Sequence, residues 1–292
     1  MRRIITSLYK ISNFIKLHFI FIFFVSRTVK NELRKNKVLK NKEKGKRCFI
    51  LGNGPSMKEE DLSSLKNDVV FAVNQIARNK QFGSFPIKYY FCVDDNFFDT
   101  DQSQEYNTEL LQRMQQVVKS NQEISCFYPY RYKGYVEENK LAGKNTYYML
   151  PRLTLYPHYN QNFDCSRYVP GFGTVVQYPI MYAIYMGFKE IYLLGCDSTG
   201  IMSTLNAALG VENKTYSYEV TANETKRMEE MVKNSKVVDY AYSYYLNLNG
   251  FEILGEYCSR RKIKLINLSS TTVLDMLPRN RLKNIIKGEN NL

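Results

Sequence analysis

The chain has 292 residues, 44% of them apolar, which suits one large domain or two small ones with a sizeable core. Its net charge of +13 points to nucleic acid only until it is located: residues 1–47 hold 14 of the 41 Lys and Arg and just two acids, Glu32 and Glu43. The rest is nearly neutral, which argues against a nucleic-acid groove on the body and assigns the basicity to a juxtamembrane or surface-binding segment.

In chain order, residues 4–25 carry apolar side chains at helical spacing, ending in the run Phe19 to Val25. That run is much shorter than the roughly 20 residues of a spanning helix. Three readings stay open: a helix lying in the membrane interface against anionic lipid, a single span beginning near Ile11, or a hydrophobic helix that docks on the domain or on a partner. Residues 1–46 are therefore expected to be a basic, apolar, membrane-associated segment at the cytoplasmic face, peripheral or single-pass.

From residue 47 the pattern alternates. Strands are expected at Cys48–Leu51, Val69–Val73, Tyr89–Val93, Ile124–Phe127, Ile191–Leu194 and Ile263–Leu268. Helices are expected at Lys58–Leu65, Glu105–Lys119, Val175–Met186 and Val237–Arg261. This predicts an α/β fold over 47–280, a Rossmann-like, mainly parallel sheet with helices on both faces. Residues 128–172 read as a loop-rich insertion, 198–224 as a mobile loop, and 281–292 as a basic tail that frays. None of the six cysteines forms a C-x-x-C pair and the histidines are His18 and His158 alone, so buried thiols in a reducing cytosol are expected and a zinc site is not.

Ligands of open α/β sheets bind outside the carboxyl ends of the strands. The first strand is followed by Gly52-Asn53-Gly54-Pro55-Ser56, a turn that delivers free amides to a helix start and suits phosphate. Asn74-Gln75 follows the second strand and Asp94-Asp95-Asn96 the third. Gly173-Thr174 precedes a helix, and Gly195-Cys196-Asp197-Ser198-Thr199 follows the strand Ile191–Leu194. Group transfer needs an anion cradle and a base for the acceptor hydroxyl. Asp94, Asp95 and Asp197 are the candidate bases, and Asp94 with Asp95 the pair that would hold magnesium if the reaction uses it. Asp99-Thr100-Asp101 has D-x-D form but lies in an acidic loop beyond the strand.

The segments Leu51-Gly52-Asn53-Gly54-Pro55-Ser56, Asn74-Gln75 and Gly187 to Asp197 resemble two related families. These are the 6-hydroxymethylpterin diphosphokinase MptE-like proteins and the bacterial sialyltransferases of glycosyltransferase family 42. The resemblance covers residues 47–280, and the closing segment Leu254–Leu277 is more similar to the MptE-like proteins. It implies donor contacts at Asn53, Asn74, Asn96, Gly173 and Thr174. The turn residues Gly52, Gly54 and Ser56 and the strand-end residues Ser198 and Thr199 are further donor candidates, Thr199 standing where the sialyltransferases have a phosphate-binding tyrosine. The sialyltransferase histidine base has no counterpart, because no histidine follows His158. The expected activity is a membrane-associated transferase with a nucleotide-activated donor, a glycosyltransferase of surface-polysaccharide assembly acting on a lipid-linked or glycan acceptor. The alternatives are a diphosphokinase moving pyrophosphate from ATP to a hydroxymethyl group, and a non-catalytic nucleotide-sugar-binding scaffold.

Overall fold

Residues 21–98, 105–154, 162–171, 173–209, 221, 225–226 and 236–288 are described by the structure, a computed structural model. The chain enters through α1 (Arg27–Arg34) and a 3-10 turn, Lys35–Leu39. It continues through β1 (Arg47–Leu51), β2 (Val69–Val73), β3 (Tyr89–Phe91), α2 (Glu105–Ser120), β4 (Ser125–Pro129) and α3 (Lys133–Glu138). Then come β5 (Asn145–Thr154), β6 (Tyr168–Gly171), α4 (Gln177–Met186), β7 (Glu190–Leu194) and α5 (Gly200–Ala208). It closes with α6 (Val237–Arg260), β8 (Lys264–Asn267) and α7 (Leu282–Lys287).

Among the described residues, eight strands form one parallel sheet in the order β6-β5-β4-β3-β2-β1-β7-β8. Successive side chains go to opposite faces. Cys48 and Ile50 join one core with Phe71, Phe91, Phe127, α4 and α6, while Phe49 and Leu51 join the other with Tyr90, Tyr128, α2 and α7. Both faces are covered, as a parallel sheet requires. The winding runs from β1 outward to β6, then returns to β7 on the other side of β1. A reversal of this kind, here between β1 and β7, is where open α/β sheets bind their ligands, outside the carboxyl ends of the strands.

Four expectations change, the first being that the stretch 198–224, expected as a loop, opens with α5. Residues 128–172 are not a loop insertion, since β5 and β6 extend the sheet there. The expected helix Lys58–Leu65 is two 3-10 turns, Pro55–Glu59 and Leu62–Leu65, the second capped by Asp61. The basic tail holds α7, anchored by buried Leu282 and Ile285.

The N-terminal arm is also more than a tail. Leu33, Asn36, Leu39 and Glu43 are buried. The Asn36 amide donates to the carbonyls of Tyr148 (2.8 Å) and Cys165 (2.7 Å). The last carbonyls of an α-helix lack intrahelical donors. Here the amides of Asn41, Glu43 and Gly45 donate to the carbonyls of Tyr185, Met186 and Gly187 at the end of α4. The packed body therefore begins well before residue 47. The expected apolar helix over 4–25 falls mostly outside the described residues. Among those described, no helix is long and apolar enough to cross a membrane.

Candidate functional site

The Gly52–Ser56 turn lies on the end of β7. The amides of Gly52 and Gly54 donate to the carbonyls of Leu194 and Gly195, each at 2.8 Å. A Cβ on Gly52 would lie 2.3 Å from the Gly195 carbonyl oxygen, and one on Gly54 2.6 Å from the Asp197 carboxyl carbon. Gly195 has φ +62 and presses on Met57. These glycines are required by close approach within the chain.

The expected open phosphate cradle is not there. Pro55 starts a five-residue 3-10 turn instead of an α-helix. The Ser56 amide donates to Asp197 Oδ2 at 2.8 Å, and the Ser56 hydroxyl donates to Oδ1. Asp197 is 1% exposed. Burial pushes its carboxyl above the usual range, against the pull of Ser56 and of the Ser269 hydroxyl. The carboxyl group at this turn is the chain's own.

Asp197 is held from behind by residues that the sequence does not single out. The Cys196 amide donates to the Ser269 hydroxyl at 2.9 Å, and Thr272 Oγ1 donates to the Cys196 carbonyl at 3.1 Å. The Val273 amide donates to the Asp197 carbonyl at 3.0 Å. The segment after β8 thus clasps the end of β7. The run Leu268-Ser269-Ser270-Thr271-Thr272 is the only signal for it in the sequence.

One strand away, Asn53 Nδ2 donates to the Val73 carbonyl at 3.2 Å, joining the ends of β1 and β2. Asn74 follows with φ +44, a left-handed conformation that asparagine tolerates. Its amide donates to the Phe91 carbonyl and its carbonyl accepts from the Tyr90 hydroxyl, both at 2.9 Å. Its Oδ1 is buried without a partner. Gln75 is 4% exposed, and neither Oε1 nor Nε2 has a partner. Buried polar side chains are nearly always paired, so each exception needs an explanation.

At the end of β3, Asp94, Asp95 and Asn96 are exposed. Asp94 Oδ1 accepts the Asn96 amide at 3.0 Å, and Asp95 pairs with Arg131. Among the described residues no three His, Cys, Asp or Glu side chains gather as a metal-binding group. Two exposed carboxylates, one of them paired with Arg131, would leave most of a magnesium shell to water and donor phosphate. Asp99-Thr100-Asp101 lies outside the described residues.

Gly173 and Thr174 stand at the entry to α4. A Cβ on Gly173 would come within 2.9 Å of the Asn247 amide nitrogen, so this glycine lets α6 approach. Below it, buried Gln177 donates to the Asn247 carbonyl at 2.7 Å. Ser198 has φ +53, and its carbonyl accepts from the Tyr244 hydroxyl of α6. The Thr199 carbonyl accepts from Met202 at the start of α5. The structure therefore brings Gly52–Ser56, Asn74, Gln75 and Asp197 together at the ends of β2, β1 and β7. Asp94–Asn96 stand one strand further out.

A family profile described as 6-hydroxymethylpterin diphosphokinase MptE-like matches residues 24–199. None of the curated proteins compared with the chain matches it. Among solved structures, the sialyltransferase CstII from Campylobacter jejuni, in complex with the substrate analogue cytidine-5'-monophosphate, is 18% identical with a TM-score of 0.42, covering 81% of this chain and 85% of that one. The sialyltransferase CST-II with a trisaccharide acceptor and CMP is 19% identical with a TM-score of 0.43, covering 80% and 86%. The MAf glycosyltransferase from Magnetospirillum magneticum AMB-1 is 14% identical with a TM-score of 0.49, covering 89% of this chain and 41% of that one.

Proposed function

The chain belongs to the MptE-like family, and we propose that it is a transferase that binds a nucleotide-activated donor across the carboxyl ends of β2, β1 and β7. One observation carries this reading: the unpartnered Asn74 Oδ1 and the wholly unpartnered Gln75 amide, both just past the end of β2 and one strand from the β1–β7 reversal. Leaving such a group buried and unpaired costs about 1–3 kcal/mol. The Gln75 amide offers one donating and one accepting edge, which suits a heterocyclic base or a sugar hydroxyl. Asn53 and the left-handed Asn74 fix the loop around it.

In the reaction, a carboxylate takes the proton of the acceptor hydroxyl as that oxygen attacks the donor. The new bond forms at the acceptor oxygen, and the bond to the leaving phosphate breaks. Of the three candidate bases, Asp94 suits this role best. It is exposed, whereas Asp95 is engaged by Arg131 and Asp197 is buried on Ser56. Asp197 acts as a positioning residue that fixes the turn to β7. Any magnesium would arrive on the donor's phosphates.

The form we favour is a glycosyltransferase of surface-polysaccharide assembly at the cytoplasmic face, with a lipid-linked or glycan acceptor. The support is the arm, whose exposed Arg27, Arg34, Lys37, Lys40, Lys42 and Lys44 suit an anionic lipid surface. The family's description favours a second form, a diphosphokinase using ATP.

A thermal-shift panel of CMP-, UDP- and GDP-sugars and ATP, with and without magnesium, tests the reading, because ligands that bind the native state raise its melting temperature. Stabilisation by one nucleotide sugar is expected. Selective stabilisation by ATP with magnesium would replace the glycosyltransferase with the diphosphokinase. No response to any nucleotide would overturn the donor site and favour a scaffold.

A further inference from the structure

Two short 3-10 turns stand side by side at the ends of β3 and β4: Asp95–Phe98 and Tyr130–Tyr132. Phe98 joins them. Its ring stacks on Tyr132, with centroids 4.1 Å apart and planes within 10°. Phe98 is itself buried, edge-on to Tyr128 and Tyr135. On this platform lies Arg131, its guanidinium 5.0 Å from the centroid of the Tyr132 ring. Arg131 Nη2 donates to the Asp95 carboxylate, from the neighbouring turn.

The pair is rooted in the core, yet its charged ends are open. The side chains of Arg131 and Asp95 are 60% and 59% exposed. An ion pair so exposed adds little to stability, so exchanging one partner for another costs little. The guanidinium is the side chain best matched to phosphate, because its planar donors meet two oxygens at once. Stacking on Tyr132 orients it in advance.

The turn after β1 creates the need for such a cation. Its Ser56 amide and hydroxyl already serve Asp197. A donor held at Asn53, Asn74 and Gln75 must find its countercharge elsewhere. Neighbouring strands are about 4.8 Å apart, so the end of β4 lies about 10 Å from the end of β2. That is a separation an extended nucleotide diphosphate bridges.

We propose that Arg131 is the phosphate-binding cation of this site and that Asp95 holds it until a phosphate oxygen takes the carboxylate's place. The proposal rests on the nucleotide reading above and adds a residue to it. Asp95 becomes a competitor of the ligand. Removing its charge frees Arg131 and also removes a repulsion, so the two partners affect binding with opposite sign. A purely structural ion pair would not behave so.

The test is titration calorimetry of the full chain with inorganic pyrophosphate at low salt. Arg131→Gln is expected to weaken binding about tenfold, the loss of roughly one charge-assisted contact. Arg131→Lys is expected to recover only part of it, since a lysine cannot make the forked contact. Asp95→Asn is expected to tighten binding about threefold by the same reasoning. Both residues are exposed, so unchanged melting of the free variants checks the fold. Wild type that ignores pyrophosphate, or variants that leave its affinity unchanged or shift it in the same direction, would overturn the assignment. If Arg131 proves irrelevant while nucleotides still stabilise wild type but not Gln75→Leu, the phosphate assignment falls and the donor site stands. If wild type responds to neither pyrophosphate nor nucleotide, both fall.

Discussion

Glu43 and Asp197 are both buried carboxylates, and their surroundings push them in opposite directions. Burial alone would raise Glu43, but Lys88 Nζ (2.6 Å), Tyr89 OH (2.7 Å) and Lys46 Nζ (2.9 Å) all donate to it and hold it at about 2. Its folded value is below its unfolded value of 4.5, so its contribution is present above 4.5 and is lost as pH falls toward 2. That difference corresponds to about 3 kcal/mol. Glu43→Gln should therefore cost about 3 kcal/mol at pH 7 in urea melts. The gap from wild type should close as pH drops below 4.5. A gap independent of pH would contradict the charge-based account. Asp197 is raised by burial, so the sign is reversed: its ionised form is disfavoured in the fold, and its contribution is lost as pH rises through the folded value. Its tolerance at neutral pH depends on Ser56 and Ser269, which is why we give it a positioning role.

At the level of elements, period and turn chemistry carried most strands. β2 matches its expected bounds, and β1, β4, β7 and β8 differ only at their ends. β5 and β6 escaped for a physical reason. Pro151 interrupts the apolar run of β5, and proline within a run argues against a strand. The fold accommodates it where the β5–β6 register shifts, between Pro151 and Thr154, and β6 carries Pro170 at the sheet edge. The arm's packing on the body is hidden in the sequence because charge dominates its composition, while its buried residues are only one in three or four. Deleting residues 1–46 removes Leu33, Asn36, Leu39 and Glu43 and exposes the end of α4. We expect loss of a cooperative thermal transition by circular dichroism; an unchanged melt would contradict the arm's place in the fold. Membrane affinity is therefore better tested in the full chain. Reversing Lys37, Lys40 and Lys42 to glutamate should keep the melting temperature and weaken binding to anionic vesicles by tenfold or more, at about 1 kcal/mol per charge. Unaltered vesicle binding would remove the arm as a lipid contact.

For the molecule as a whole, the strand ends named by the sequence do meet at one edge, on either side of the reversal between β1 and β7. Their division of labour was not legible. Gly52, Gly54 and Ser56 read as a phosphate cradle because the same residue types serve tight packing, and their partners Gly195 and Asp197 lie far along the chain. The clasp of Ser269, Thr272 and Val273 is a contact of the same long range. Gln75 carries no motif beyond following Asn74, and its importance lies in partners that it lacks. The account's central claim is that this lack is filled by the donor. Gln75→Leu tests it in the full chain, by thermal melts with and without the nucleotide that stabilises wild type. Replacing an unpaired buried amide with an apolar side chain should hold or raise the stability of the free protein, by about 1 kcal/mol or more. The same change should abolish the nucleotide-induced shift. A destabilised free protein that keeps its full nucleotide shift would contradict the account.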